Sequence, residues 1–124
     1  MRTAVLIMKR IIVAEAIKQM NKNPFLQLYI EQDYISAEKI IQDYRADVVL
    51  VEVSESESCN ISCSLALCAH IRSKAPFCRL ILMCPEHDSV CIDHAIRAKS
   101  NKQIDDFLFY DSSIEYILSS IMAL

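Results

Sequence analysis

Glycine is absent from this 124-residue chain. That removes every glycine-rich phosphate cradle, of the dinucleotide-binding or the P-loop kind, and with them the nucleotide-binding enzymes built on such loops. Turns must rely on Asn, Asp and Ser and on the three prolines, Pro24, Pro76 and Pro85. No apolar run approaches the roughly 18 residues of a membrane span, so no membrane association is expected. A surplus of basic charge is also missing: thirteen Lys and Arg face sixteen Asp and Glu, for a net charge of −3. That balance offers no electrostatic footprint for wrapping nucleic acid, and direct binding of DNA or RNA by this domain is not expected. Cysteine is missing from both ends, while six crowd the middle as Cys59, Cys63, Cys68, Cys78, Cys84 and Cys91. Met1 to Met8 is a short apolar stretch ahead of Lys9 and Arg10, whereas a secretory signal carries its charges first. A cytoplasmic protein is therefore expected, with its thiols reduced and behaving as small buried hydrophobes.

What is present is alternation. Hydrophobic residues make up 53% of the chain and charged residues 23%, enough for one domain with a real core. Ala4 to Met8 reads as a buried strand, followed by Val13, Ala16, Ile17 and Met20 at helical spacing. Asn23-Pro24 ends that helix, and Phe25 to Ile30 form a second strand. Ala37, Ile40, Ile41 and Tyr44 mark the next helix. Asp47 to Val53 is apolar on both faces, as a central parallel strand should be. A Ser/Glu run from 54 to 58 is a solvated loop, and a third helix carries Leu67, Cys68 and Ile71. Arg79 to Met83 is a fourth strand, with a helix through Ile92, Ala95 and Ile96 after it. Asp106 to Tyr110 is a fifth strand. Ser112 with Glu115 makes a capping box for a last helix with Ile114, Ile117, Leu118 and Ile121 inward. Five β/α units imply an α/β domain over residues 1–124, with a parallel sheet covered by helices on both faces and joined by right-handed crossovers.

In such sheets chemistry sits beyond the carboxyl ends of the strands. Lys9 and Arg10 follow the first strand, Glu52 closes the third, Cys84-Pro85 the fourth and Tyr110-Asp111 the fifth. End to end, the chain resembles a response-regulator receiver domain. Ala46 to Val53 is similar to that family's third strand, Arg79 to Cys84 to its fourth, and Asp105 to Glu115 to its fifth strand and last helix. The Asp111-Ser112-Ser113 continuation is most like regulators that carry a helix-turn-helix output domain. The resemblance implies a flavodoxin-like (βα)5 doubly wound sandwich with strand order 2-1-3-4-5. It also implies a role in bacterial two-component signalling or transcription regulation, with a protein partner or an output domain, and a possible homodimer through the fourth and fifth helices.

The departures bear on activity. Where the family holds Mg²⁺ with an acidic pair, this chain has Lys9-Arg10, and a hard divalent cation needs oxygen ligands. Glu52 stands at the phosphoacceptor aspartate, Cys84 at the hydroxyl position and Tyr110 at the lysine. Without the metal and the placed charge, phosphoryl transfer loses most of its electrostatic stabilisation. A non-enzymatic, phosphorylation-independent module without Mg²⁺ or another cofactor is expected. Lys9 or Arg10 is expected to reach Glu52 across adjacent strand ends and hold the site in a fixed state, the alternative being a solvated rim. Phe107 occupies the family's switch-aromatic position, where an ordinary core aromatic is the competing reading.

A second function class rests on the cysteines. Cys84, His87, Cys91 and His94 form C-x2-H-x3-C-x2-H, a donor set suited to tetrahedral zinc. Convergence would require a tight fold-back between a strand end and a helix, so unligated thiols and surface histidines are the simpler expectation. Cys59 and Cys63 lack C-x-x-C spacing and a basic neighbour, which argues against a redox pair there. A metal- or redox-sensing domain using residues 59–94 is the alternative to the receiver-like reading.

Overall fold

The computed structural model describes residues 1–54 and 60–124. Among the described residues ten elements alternate, strand with helix. They are β1 (Arg2–Ile7), α1 (Ile11–Met20), β2 (Leu26–Glu31), α2 (Tyr34–Tyr44), β3 (Val48–Glu52), α3 (Ile61–Lys74), β4 (Arg79–Cys84), α4 (Ser89–Ser100), β5 (Asp106–Phe109) and α5 (Ile114–Ala123). The five strands form one parallel sheet in the order β2-β1-β3-β4-β5. This is the doubly wound order expected, and it places the ends of β1 and β3 side by side, with Ile7 opposite Val51.

Burial explains why the strands read as unbroken apolar runs. All five residues of β3 are buried, as are Leu80 to Cys84 of β4. Alternate residues feed two cores, one on each face of the sheet. Val5, Val49, Leu80 and Leu82 pack with α2, α3 and α4 through Ala37, Ile41, Cys68, Ile71, Cys91 and Ala95. Leu6, Leu50, Ile81 and Met83 pack with α1 and α5 through Ala14, Ile17, Ile117 and Ile121. The edge strand β2 is partly covered where Tyr29 stacks on Tyr44 of α2, with ring centroids 4.2 Å apart.

The absent glycines are replaced by position-specific devices. Arg45 closes α2 in the left-handed region at φ 50°, and Lys102 takes φ 62° after α4. Asp33, Asn60 and Asp88 cap α2, α3 and α4 through side-chain oxygens. Two local expectations are corrected. The cap of α5 is Ser113, whose Oγ accepts from Tyr116 N–H, while Ser112 Oγ accepts from Phe109 N–H and holds the preceding turn. The inner stripe of α4 is Cys91, Ala95 and Ala98, with Ile96 48% exposed. Small residues face the sheet because α4 lies close on β4 and β5, leaving no depth there for an isoleucine.

Candidate functional site

The carboxyl edge of the sheet gathers Lys9, Arg10, Glu52, Cys84 and Tyr110. Glu52 is the last residue of β3 and is only 4% exposed. Its extra methylene, relative to aspartate, lets the carboxylate fold back towards the start of α1. There Oε1 accepts the backbone N–H groups of Lys9 and Arg10 at 3.1 and 3.4 Å. Oε2 accepts Arg10 Nε–H at 2.6 Å. Burying an ionised carboxylate is costly unless it is paired and hydrogen-bonded, and three donors meet that requirement here. Its position ahead of the first turn of α1 adds the partial positive charge of a helix start.

Arg10 is the centre of the cluster. Its guanidinium carbon stands 3.7 Å from the centroid of the Tyr110 ring, a stacking geometry worth about 0.5–2 kcal/mol. Its Nη2 lies 3.5 Å from Met83 Sδ. The Arg10 side chain is thus fixed by the β3 carboxylate, the β4 thioether and the aromatic ring that follows β5. Lys9 contributes differently from what its charge suggests: its ammonium sits 5.8 Å from the Tyr34 ring centroid, and its contact with Glu52 is through the main chain.

Tyr110 also ties the edge together. Its backbone N–H donates to Cys84 O at 2.9 Å, and its hydroxyl donates to Val53 O, just past β3. On the other side Tyr34 Oη donates to Glu52 O at 3.1 Å. Two tyrosine hydroxyls therefore satisfy successive carbonyls, those of Glu52 and Val53, where β3 ends and its ladder partners run out. Tyr34 and Met83 were absent from the expected set. Tyr34 opens α2 just beyond the end of β2, so inspecting residues that follow every strand, β2 included, would find it. Met83 shows no sequence signal beyond its place one residue before the end of β4.

The remaining candidates fall outside this cluster. Phe107 is half-buried, packed edge-on against Phe109 at 5.8 Å between centroids, with Lys99 Nζ 6.0 Å from its ring. The four proposed zinc donors are split. Cys84 and Cys91 are buried together, whereas His87 and His94 are exposed. Among the described residues no three His, Cys, Asp or Glu side chains are grouped as a metal would require. His94 is exposed, whereas Cys91, three residues before it on α4, is buried. Cys63 is exposed on the first turn of α3, and Cys59, its suggested redox partner, lies outside the described residues. Two depressions among the described residues lie elsewhere. One of about 550 Å³ sits at the opposite edge of the sheet, between Arg45, Asp47, Lys74 and Phe77, and the other flanks β2 and the end of α1.

The donor set does not fit Mg²⁺. The Arg10 guanidinium stands beside Glu52 where hard oxygen ligands would be needed, and both oxygens of Glu52 are already engaged by N–H donors.

No protein-family model matches the chain, and no curated protein matches it in sequence. Solved structures do. A DNA-binding response regulator of the LuxR family from Staphylococcus aureus superposes with a TM-score of 0.77 at 17% identity, over 99% of this chain and 98% of that one. A response regulator from Thermotoga maritima gives 0.78 at 19% identity, covering 98% and 95% of the two chains. An orphan response regulator of H. pylori gives 0.78 at 16% identity, covering 98% and 94%. At these identities the likeness is one of fold: the chain has the flavodoxin-like fold of response-regulator receiver domains along nearly its whole length. No helix among the described residues is long and apolar enough to cross a membrane.

Proposed function

We propose that this chain is a receiver-like signal-transduction module that works without phosphorylation, its acceptor site held closed by its own residues. The observation that carries the reading is the Arg10–Glu52 pair, at 2.6 Å, inside a fold shared with solved response regulators. In a phosphorylatable site the acceptor carboxylate must present a lone pair to the incoming phosphorus while a metal neutralises the phosphoryl oxygens. Here Glu52 directs its oxygens at Arg10 Nε and two backbone amides. Arg10 fills the space between Glu52 and Tyr110 that a phosphoryl group would enter. A fixed internal cation in place of a removable ligand leaves the site with one stable arrangement, and signalling then depends on a binding partner rather than on a covalent mark.

The module acts through protein contacts, with a partner or an output domain, in two-component or transcriptional regulation, and it is not an enzyme. Val90 and Ile96 on α4, and Tyr116 and Met122 on α5, are 64%, 48%, 58% and 36% exposed, which suits a protein-binding or self-associating surface on these helices.

The test is incubation with acetyl phosphate and Mg²⁺ followed by intact-mass measurement. No phosphoryl adduct is expected, in either the wild type or Glu52→Gln. Stoichiometric incorporation into the wild type that is lost in Glu52→Gln would overturn the proposal.

A further inference from the structure

The net charge of −3 conceals a separation of charge along the sheet. Because each helix returns antiparallel to the strands, strand starts and helix ends share the amino edge, while strand ends and helix starts share the carboxyl edge. The last turn of each helix and the chain up to the first residue of each strand hold ten of the thirteen Lys and Arg. Four acids, Asp43, Asp47, Asp105 and Asp106, lie among them, which leaves an excess of six positive charges. From the last residue of each strand through the first turn of the next helix, seven described acids face Lys9 and Arg10, an excess of five negative charges. Among the described residues, only Glu15, Glu38, Lys39 and Asp93 lie mid-helix between the two edges. The five helix macrodipoles, about half a charge each, oppose both excesses and cancel no more than about half of either.

Part of the positive charge is neutralised locally. Asp105 pairs with Arg72 and Arg79, Asp106 with Lys99, and Asp93 with Arg97. Lys18, Lys22, Arg45, Lys74 and Lys102 are exposed and form no salt bridge among the described residues. At the carboxyl edge Asp33, Glu86, Asp88, Asp111 and Glu115 are likewise exposed without a salt bridge among the described residues. Both edges also present apolar side chains to solvent. Phe25 and Phe77, just ahead of β2 and β4, do so on the positive edge, and Ile12 and Ile35, in the first turns of α1 and α2, on the negative one. The depression of about 550 Å³ lies on the positive edge, where Arg45, Lys74 and Phe77 set two cations beside an aromatic ring.

We propose that the chain self-associates head to tail, the negative carboxyl edge of one copy seated on the positive amino edge of the next. The occupant is a second copy because the molecule carries its own complement. Five unpaired carboxylates with exposed isoleucines face five unpaired cations with exposed phenylalanines. A nucleic acid fits the positive edge less well. Its phosphates would meet Asp43, Asp47, Asp105 and Asp106 among the cations, on a molecule whose net charge is −3.

Such a contact joins two different surfaces, so each copy keeps one free edge and the assembly grows past a dimer. Self-association through α4 and α5 pairs a surface with itself and stops at two copies. Each head-to-tail contact also covers the edge that holds Arg10 and Glu52, placing the neighbour's cations over the closed site. Exposed ion pairs are individually weak and screened by salt, so the assembly belongs to low ionic strength. The inference uses neither the Arg10–Glu52 pair nor its consequences for phosphorylation, so its failure leaves that reading untouched.

The test is sedimentation velocity of the full chain in about 0.01 M and about 1 M salt, where charges act over about 30 Å and about 3 Å. At low salt the weight-average mass is expected to climb with concentration past that of a dimer. At high salt it should return to the 14.2 kDa of one chain. Two charge reversals identify the edges: Lys22→Glu with Lys74→Glu on the amino edge, and Glu86→Lys with Asp111→Lys on the carboxyl edge. Each double variant alone is expected to stay monomeric at low salt. An equimolar mixture should regain the assembly, because reversed edge then meets reversed edge and native meets native. Monomers at both salt concentrations would overturn the proposal, as would a species that stops at a dimer. So would association unchanged in both variants, or binding of a single-stranded oligonucleotide to the amino edge in place of self-association. The wild-type salt dependence decides the matter even if a variant fails to fold.

Discussion

At the scale of single residues, the site is governed by how one buried carboxylate is satisfied. Glu52 is 4% exposed, while its partner Arg10 keeps 37% of its side chain open to solvent. Removing the guanidinium leaves the carboxylate with two backbone donors and an open flank. Breaking a fully buried pair costs roughly 3–5 kcal/mol; the exposed half of Arg10 and the surviving amide bonds bring the expectation for Arg10→Ala down to about 2 kcal/mol. A urea midpoint for Arg10→Ala equal to that of the wild type would show that the pair is incidental to stability. Glu52→Gln is the milder change, because an amide oxygen still accepts from Lys9 and Arg10 N–H. The ion pair itself was foreseeable, since strands β1 and β3 are neighbours and a long cation faces a long anion across their ends. Which cation pairs was not. Lys9 and Arg10 differ by one step of backbone, and that step points Lys9 towards Tyr34 and Arg10 into the cleft.

At the scale of elements, the other end of the sheet is held by a second carboxylate. Asp105 accepts Leu80 N–H at 2.8 Å and pairs with Arg72 of α3 at 2.8 Å and with Arg79 of β4 at 3.4 Å. One side chain thus ties α3, β4 and the approach to β5. Burial alone would raise its pKa, but the Leu80 N–H, Arg72 and Arg79 outweigh it and hold the carboxyl below its ordinary 3.8. The folded state therefore binds fewer protons than the unfolded chain in this range. Its contribution is fully present above the unfolded value and is lost as the pH falls through the depressed folded one. Asp105→Asn is expected to lower stability at neutral pH by about 1–3 kcal/mol. It should also flatten the fall in the urea midpoint below about pH 4. An acid limb as steep in the variant as in the wild type would contradict this role. Element boundaries were legible to within a residue or two where apolar runs were long, as in β3 and β4. The α4 face was not. Hydrophobicity favoured Ile92 and Ile96, whereas close helix–sheet approach selected the smaller Cys91, Ala95 and Ala98. The α5 cap shifted by one residue because Ser112 and Ser113 are chemically equivalent in sequence and only turn geometry separates them.

At the scale of the whole molecule, the alternation of strand and helix periods implied a parallel sheet covered on both faces, whereas the order β2-β1-β3-β4-β5 was implied by the resemblance to receiver domains and not by periodicity. The closed state of the carboxyl edge was less accessible. It depends on Tyr34 and Tyr110 reaching the Glu52 and Val53 carbonyls from opposite sides, contacts between residues far apart in the chain that no periodicity encodes. Those hydroxyls and the Arg10 guanidinium link the ends of β1, β3, β4 and β5 to the start of α2. In the proposed reading, Arg10 occupies the position next to Glu52 that a phosphoryl group would take. The most direct measurement is a titration of the ¹⁵N-labelled protein with Mg²⁺ and beryllofluoride, a mimic of a phosphoryl group on a carboxylate. The amide signals of Lys9, Arg10, Val53 and Tyr110 and the Arg10 Nε–H signal are followed. All are expected to stay unmoved, with the Arg10 Nε–H signal persisting throughout. Saturable shifts at these positions, with loss of the Arg10 Nε–H signal, would contradict the account.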